Sequence, residues 1–193
     1  QSGVRRVVVG ALDPNLKHFG KGVRQLRSKN LNVTVGVEKE RAQKLVYPFK
    51  KWITRGVPYV TVKEAMSLDG KIATAQGDSR WISGKEARDW VHQLRNEVDG
   101  ILIGKKTALQ DNPRLTVRFG KRSLYQPKRF VLSEKANLPT NLKIFSDSFR
   151  KNTVIVCGNK VLSPQMKKWE ALEISVLKTP SWNGKILIPE LLR

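Results

Sequence analysis

Residues 59–118 read YVTVKEAMSLDGKIATAQGDSRWISGKEARDWVHQLRNEVDGILIGKKTALQDNPRLTVR, and this stretch carries most of the polar side chains that are spaced for chemistry. Its first nine residues, 59–67, alternate between apolar and polar or small side chains, which predicts a strand. The valines and the methionine of this strand share one face. Lys63 therefore lies on the other face, among small residues, and points away from the predicted core.

A turn, a helix and a second strand follow. Residues 67–70, Ser-Leu-Asp-Gly, are typical of a turn, because glycine adopts backbone conformations that other residues avoid. Ser83 and Glu86 have the spacing of a capping box, and the apolar residues behind them recur at helical spacing, which predicts a helix over 84–97. A short apolar strand is predicted at 101–104.

The flanking sequence continues this alternation of strands and helices, which predicts an α/β fold with a mostly parallel sheet. Arg-Gly-Val-Pro at 55–58 is typical of a linker, and the domain boundary is placed near residue 57. Ser163 and Pro164 are predicted to begin a helix, with the serine as its cap. The further predicted strands are 5–9, 31–37, 128–132, 152–157 and 174–177, and the further predicted helices are 20–28, 38–53, 165–172 and one that begins at 186.

The chain is strongly basic, with a formal net charge of +21, and a polyanion is therefore a partner to consider. Residues 1–57 contain 13 Lys and Arg against 3 acidic residues, and residues 58–193 contain 24 against 13. The positive charge is thus spread along the chain. A nucleic-acid module more often concentrates it on one helix or stripe with aromatic residues between, so this distribution does not favour nucleic-acid binding.

Cysteine and histidine are too few for the zinc site of a deaminase. Cys157 is the single cysteine and lies in an apolar run, which predicts a buried, inert thiol. His18 and His92 are the only histidines, and neither has a partner at metal-ligand spacing, so both are interpreted as surface or packing residues. A zinc deaminase needs one His and two Cys ligands, which excludes that activity. No apolar run is long enough for a membrane span, and no secretory signal is apparent, which favours a cytoplasmic protein.

Three segments carry a resemblance to a known family: PYVTVKEAMSLDGKIA at 58–73, GDSRWIS at 77–83 and ILIGKKTALQDNPRLTVR at 101–118. In this order and spacing they resemble the reductase domain of the bifunctional riboflavin-biosynthesis deaminase/reductase. The resemblance implies a dihydrofolate-reductase-like α/β fold over 58–193, incomplete at its C-terminus because the family's glycine-rich loop is missing. Residues 1–57 resemble the C-terminal β-α-β piece of a cytidine-deaminase-like domain, without its zinc site.

The resemblance also implies an activity. Members of this family use NADPH to reduce 5-amino-6-(5-phosphoribosylamino)uracil to its ribitylamino form, so the expected ligands are NADPH and a phosphorylated pyrimidine, without a metal. It further implies a homo-oligomeric parent protein. Such a hydride transfer requires positioning and electrostatic stabilisation from the protein and no nucleophile.

The resemblance assigns roles to named positions. Without it, Lys63 reads as an exposed strand lysine, Asp111 as a turn residue and Trp81 as a hydrophobic contact ahead of a helix. Arginine offers a planar fork that suits phosphate. The implied catalytic residues are Lys63 and Asp111; the substrate-binding residues are Lys63, Ser79, Arg95, Leu115 and Arg118; the cofactor-binding residues are Ala65, Trp81, Thr107, Asp111 and Ser133.

Two other functions are also consistent with the sequence. The chain could be a catalytically silent relative that serves as a binding or scaffold subunit, which the missing glycine-rich loop favours. It could also be a basic nucleic-acid binder, whose affinity for unrelated DNA would fall steeply with salt and would not depend on Lys63 or Arg95.

Overall fold

A computed structural model describes residues 3–79, 81–118 and 125–193 of the chain. The chain divides into two compact units. The first comprises Gln1–Val62 with Leu192–Arg193, and the second comprises Lys63–Leu191. In the described residues, no helix combines the length and the apolar character that a membrane crossing requires.

The first unit is a β-α-β piece followed by a long helix. Strands β1 (Arg6–Val9) and β2 (Asn32–Val35) pair in parallel, and helix α1 (Lys21–Ser28) connects them. Helix α2 (Lys39–Arg55) follows and ends at Gly56, whose φ of 67° is a left-handed conformation that glycine adopts without strain. These four elements confirm the strands and helices that periodicity predicted for this part of the chain.

The second unit contains a four-stranded parallel sheet in the order β3-β4-β5-β6. Its elements confirm the predicted α/β class with a mostly parallel sheet. The strands are β3 (Gly100–Gly104), β4 (Lys128–Leu132), β5 (Thr153–Gly158) and β6 (Ser175–Thr179), and a short antiparallel hairpin of β7 (Ser181–Trp182) and β8 (Lys185–Ile186) follows. The helices are α3 (Lys85–Glu97), α4 (Lys105–Asp111), α5 (Lys143–Ser146), α6 (Ser163–Glu170) and α7 (Ile188–Leu191).

The core of this unit lies around the two central strands. Val131 of β4 and Ile155 of β5 are fully buried and pack with Trp169 of α6. The Trp169 indole Nε1 donates a hydrogen bond of 2.9 Å to the Ala136 carbonyl oxygen, so its one polar atom is satisfied within the core. Cys157 is fully buried in the same cluster, which confirms the prediction of an enclosed thiol.

The strand predicted at 59–67 is wrong. Residues 59–66 have no strand pairing, and their backbone forms no hydrogen bond with another strand in the described residues. Val60, Val62 and Met66, which were expected to share a buried face, are 48%, 78% and 51% exposed. Alternation indicates that a segment suits a sheet, but a strand exists only where a second backbone supplies the ladder.

Two predicted helix caps are also wrong, although the helices themselves are confirmed. Gly84, not Ser83, is the N-cap of α3, and no side chain bonds to the free amides there. Ser163 is the first residue of α6, after the N-cap Leu162. A serine caps a helix only when it stands one residue outside the first turn, and a shift of one residue removes that geometry.

Candidate functional site

The segment that follows α4 is held in an unusual backbone conformation. Asn112 ends the helix with a φ of 42°, and its Oδ1 accepts a 2.8 Å hydrogen bond from the Lys143 backbone amide. Leu115 is buried and has a φ of 55°, a left-handed conformation that costs a branched residue free energy. Packing and hydrogen bonds around the segment must therefore offset this strain.

Two side chains supply those hydrogen bonds. The buried Arg129 guanidinium donates to the Arg114 carbonyl oxygen at 2.8 Å. The Gln126 amide bonds both backbone groups of Val117, accepting from its N–H at 2.9 Å and donating to its carbonyl at 3.3 Å. Backbone atoms on both sides of Leu115 are thereby fixed, and Arg118 extends from an anchored segment.

Arg95 and Arg118 come together beside this segment. Arg95 lies in the last turn of α3, is half-buried, and its Nη1 donates a long hydrogen bond of 3.5 Å to the Thr116 carbonyl. Burial, and then the positive charge of Arg118, lowers the pKa of Arg95. In the part of the chain that the structure describes, neither guanidinium forms an ion pair with a carboxylate. Two unneutralised guanidinium groups form a suitable site for an anion such as phosphate.

His92 completes this group, one turn before Arg95 on α3. Its Nε2 lies 3.4 Å from the Arg118 Nη2. Burial lowers the pKa of His92, and the charges of Arg95 and Arg118 lower it further, against an opposing effect of Asp89. We refer to His92, Arg95 and Arg118 as the arginine cluster. Sequence reasoning missed His92, although its position three residues before a candidate arginine on one helix was an available signal.

A second group of predicted residues lies at the carboxyl edge of the sheet. Strands β3 and β4 are parallel neighbours, with Gly104 paired with Leu132 at their ends. Thr107 lies in the helix that follows β3, and Ser133 directly follows β4. Ligands of parallel α/β sheets bind beyond this edge of the strands.

Ser133 is the most informative residue of this edge. It is buried, and its Oγ has no hydrogen-bond partner in the described residues. A buried hydroxyl without a partner is rare in native proteins. The Ser133 Oγ is therefore a candidate partner for a polar group of a ligand at this edge of the sheet.

Residues 67–70 and the residues around Trp81 precede helix α3. The turn predicted at 67–70 is confirmed: the Ser67 Oγ donates to Asp69 at 2.5 Å, and Gly70 has a φ of 78°. The Trp81 ring is exposed, and the Arg88 guanidinium stacks on it with its central carbon 4.4 Å from the ring centroid. Arg88 also donates to the Ser83 carbonyl at 2.6 Å, which ties Trp81 to the start of α3.

The side chains of the remaining predicted site residues are not bonded to either group. The Lys63 and Asp111 side chains are exposed and form no hydrogen bond or ion pair with a residue that the structure describes, although Asp111 ends the helix that carries Thr107. Ala65 and Ser79 are half-buried, likewise without such a contact. The structure thus brings Arg95 and Arg118 together, buries Leu115 in the hydrophobic core, and places Thr107 and Ser133 at one sheet edge. The roles of all these residues stay predictions.

The described residues contain no group of three or more His, Cys, Asp or Glu side chains that could hold a metal ion.

Comparison with known proteins gives one consistent result. The model of the RibD C-terminal domain family matches residues 58–193. The riboflavin biosynthesis protein RibD of Aquifex aeolicus is 38% identical over 178 residues, and its Synechocystis counterpart is 41% identical over 180 residues. Each match covers 92% of this chain but 49% and 47% of the relative, so the chain spans about half the length of these relatives.

Solved structures agree. RibD from Acinetobacter baumannii superposes with a TM-score of 0.77 at 31% identity, covering 92% of this chain and 49% of that one. A Thermotoga maritima protein, a diaminohydroxyphosphoribosylaminopyrimidine deaminase/5-amino-6-(5-phosphoribosylamino)uracil reductase, superposes with a TM-score of 0.70 at 32% identity. That match covers 92% of this chain and 54% of the Thermotoga chain.

Proposed function

The chain belongs to the RibD C-terminal domain family, and on that premise we propose that it is the reductase part of a riboflavin-pathway enzyme. Its substrate is 5-amino-6-(5-phosphoribosylamino)uracil, which it reduces to the ribitylamino product with NADPH. The Thermotoga maritima relative carries the name of this reductase. The observation that carries the proposal is the arginine cluster, in which two guanidinium groups lack carboxylate partners among the described residues.

The arginine cluster would bind the phosphate of the substrate. A dianionic phosphate offsets the electrostatic repulsion between Arg95 and Arg118 and accepts hydrogen bonds from both guanidinium groups. Leu115 and Ser79 would line the same substrate. Because Arg95 precedes β3 and Thr107 follows it, the phosphate end of the substrate is assigned to the part of the site away from the carboxyl edge.

The reaction adds a hydride to C1′ of the ring-opened imine and a proton from solvent to its nitrogen, so that the double bond becomes a C–N single bond. When bound, NADPH supplies the hydride. Lys63 would place its ammonium group beside the sugar hydroxyls and stabilise charge at the reacting carbon, and Asp111 would orient substrate and cofactor from the end of α4. Ser133 and Thr107 would hold the cofactor at the carboxyl edge, with Ala65 and Trp81 alongside.

A binding subunit without catalysis is the second candidate. It is favoured by one observation: the side chains of Lys63 and Asp111 are exposed and form no hydrogen bond or ion pair with another predicted site residue in the described part of the chain. Such a protein would bind the sugar phosphate through the arginine cluster and would not oxidise NADPH.

The test follows the loss of NADPH absorbance with the pyrimidine substrate. We expect turnover by the unmodified protein and a fall in kcat/KM of about 10- to 100-fold for Arg95→Met and for Arg118→Met, because each loses a charge-assisted hydrogen bond to the phosphate. Lys85→Met is the matched control: it removes one positive charge from the same helix, where Lys85 pairs with Asp89 at 2.6 Å, and should retain activity.

Each outcome separates the candidates. Absence of NADPH oxidation, together with binding of ribose 5-phosphate that Arg95→Met weakens, would establish the binding subunit. Turnover that Arg95→Met and Arg118→Met leave unchanged would retain the reductase and remove the arginine cluster from its substrate site.

A further inference from the structure

The contact between His92 and Arg118 has only one chemically consistent arrangement. A guanidinium group donates hydrogen bonds and accepts none, so the His92 Nε2 that faces Arg118 Nη2 at 3.4 Å must be the acceptor. A neutral ring with its hydrogen on Nδ1 meets this requirement. That nitrogen is buried and has no partner in the described residues.

We propose that His92 is a positioning residue of the anion site, which holds the Arg118 guanidinium towards Arg95 until a phosphate group replaces it as acceptor. This inference rests on the proposed function of the two arginines as a phosphate site, and it assigns a role to a residue outside the expected site. His92 touches Arg118 and need not touch the substrate.

The charges around His92 explain why it can serve this purpose. Arg95 on the same helix and Arg118 on the segment after α4 both disfavour a positive imidazole, and burial does so more strongly. Asp89, one turn earlier, has the opposite effect, but its carboxylate is already paired with Lys85. The ring consequently keeps the neutral form, which alone can accept from Arg118.

Anion binding must then change the proton affinity of His92. A phosphate between Arg95 and Arg118 cancels much of their field at the ring, and it also removes the need for Nε2 as an acceptor. The pKa of His92 should rise when the ligand binds. By linkage, protonation of His92 should strengthen binding of the ligand by the same factor.

The test records the nitrogen-15 chemical shifts of both histidine side chains by NMR as a function of pH, with and without ribose 5-phosphate. The chain contains only His18 and His92, so His18 in the first unit is an internal reference. We expect the Nδ1–H tautomer for His92 without ligand, and a titration midpoint that moves to higher pH with ribose 5-phosphate while the His18 signals stay in place. Arg118→Met should raise the His92 midpoint without any ligand.

Two matched variants separate positioning from packing. His92→Gln retains an acceptor near the Nε2 position and should bind ribose 5-phosphate almost as the unmodified protein does. His92→Leu has no acceptor and should bind about 3- to 10-fold more weakly, because Arg118 must then be ordered by the ligand itself. Calorimetry provides both affinities, and unphosphorylated ribose controls for contacts that do not involve phosphate.

The results distinguish failure of the role proposed for His92 from failure of the proposed phosphate site. Bound ribose 5-phosphate with an unmoved His92 midpoint, or equal affinities for the Gln and Leu variants, would overturn the role of His92 and leave the phosphate site intact. Absence of ribose 5-phosphate binding, or binding that Arg95→Met does not weaken, would overturn the phosphate site and the inference together.

Discussion

Arg129 should be the most sensitive single position for the stability of the second unit. Its side chain is 1% exposed, and Asp147, its ion-pair partner, is 14% exposed. The guanidinium joins the start of β4 to three other segments of the unit. Its acceptors are Asp147 Oδ1 and Oδ2 at 3.0 and 2.7 Å, Thr153 Oγ1 at 2.7 Å, and the carbonyls of Arg114, Ile144 and Phe149 at 2.8, 2.9 and 2.7 Å.

Arg129→Met should lower the free energy of unfolding by about 3–5 kcal/mol, because it leaves the Asp147 carboxylate in a poorly solvated site without its cation. The sum of the separate hydrogen bonds would exceed this value, but the bonds share two nitrogens and water replaces some of them. For a unit of this size the loss corresponds to a fall in Tm of about 10–15 °C. The orphaned Arg114 carbonyl should also loosen the segment that carries Arg118.

Urea denaturation provides the measurement, with unchanged m-values as the condition for comparing variants. Arg150→Met is the control. Arg150 pairs with Glu173 at 2.8 Å with both side chains more than 40% exposed, so its loss should change the stability little. Arg129→Met with Asp147→Leu should recover part of the loss, because no buried charge then lacks a partner. Equal stabilities of Arg129→Met and Arg150→Met would refute this reasoning.

Two further changes probe buried polar groups. Ser133→Ala should leave the free energy of unfolding unchanged or slightly higher, because the Ser133 Oγ has no partner among the described residues. The same change should raise the KM for NADPH several-fold. A lower stability with an unchanged KM would show that Ser133 does not bind the cofactor. Burial raises the pKa of the Cys157 thiol, so the folded protein favours the protonated thiol. The contribution of this thiol to the free energy of unfolding is therefore fully present below the ordinary thiol pKa, and it decreases as the pH rises through the raised pKa of the folded state. Modification of Cys157 by a thiol reagent at mildly alkaline pH should accordingly proceed at the rate of protein opening and become fast in urea, whereas equal rates in both conditions would contradict its burial.

The parallel sheet could be predicted from the sequence because short strand-like segments, such as the apolar run at 101–104, alternate with amphipathic helices. The run at 128–132 coincides with β4, and the helix over 84–97 is observed as α3. Helix α4 was missed because seven residues contain too few turns to establish a period, and only Ala108 and Leu109 among them are apolar.

The strand expected at 59–67 shows the limit of periodicity. Alternation describes the two faces of one segment and carries no information on which backbone lies beside it. The predicted orientation of Lys63, away from the core, followed from that strand. Its side chain is exposed, so its proposed catalytic role rests on the family resemblance.

The arginine cluster could not be derived from spacing, because it depends on a backbone conformation that side-chain type conceals. Arg118 contacts His92 from a segment in which Leu115 adopts a left-handed φ, and Arg129 and Gln126 bond the backbone on either side of Leu115. A leucine is among the residues least expected in that conformation. The role proposed for His92 depends on the Arg118 guanidinium that faces its Nε2, and not on its position in helix α3. A histidine one turn away would lack this contact.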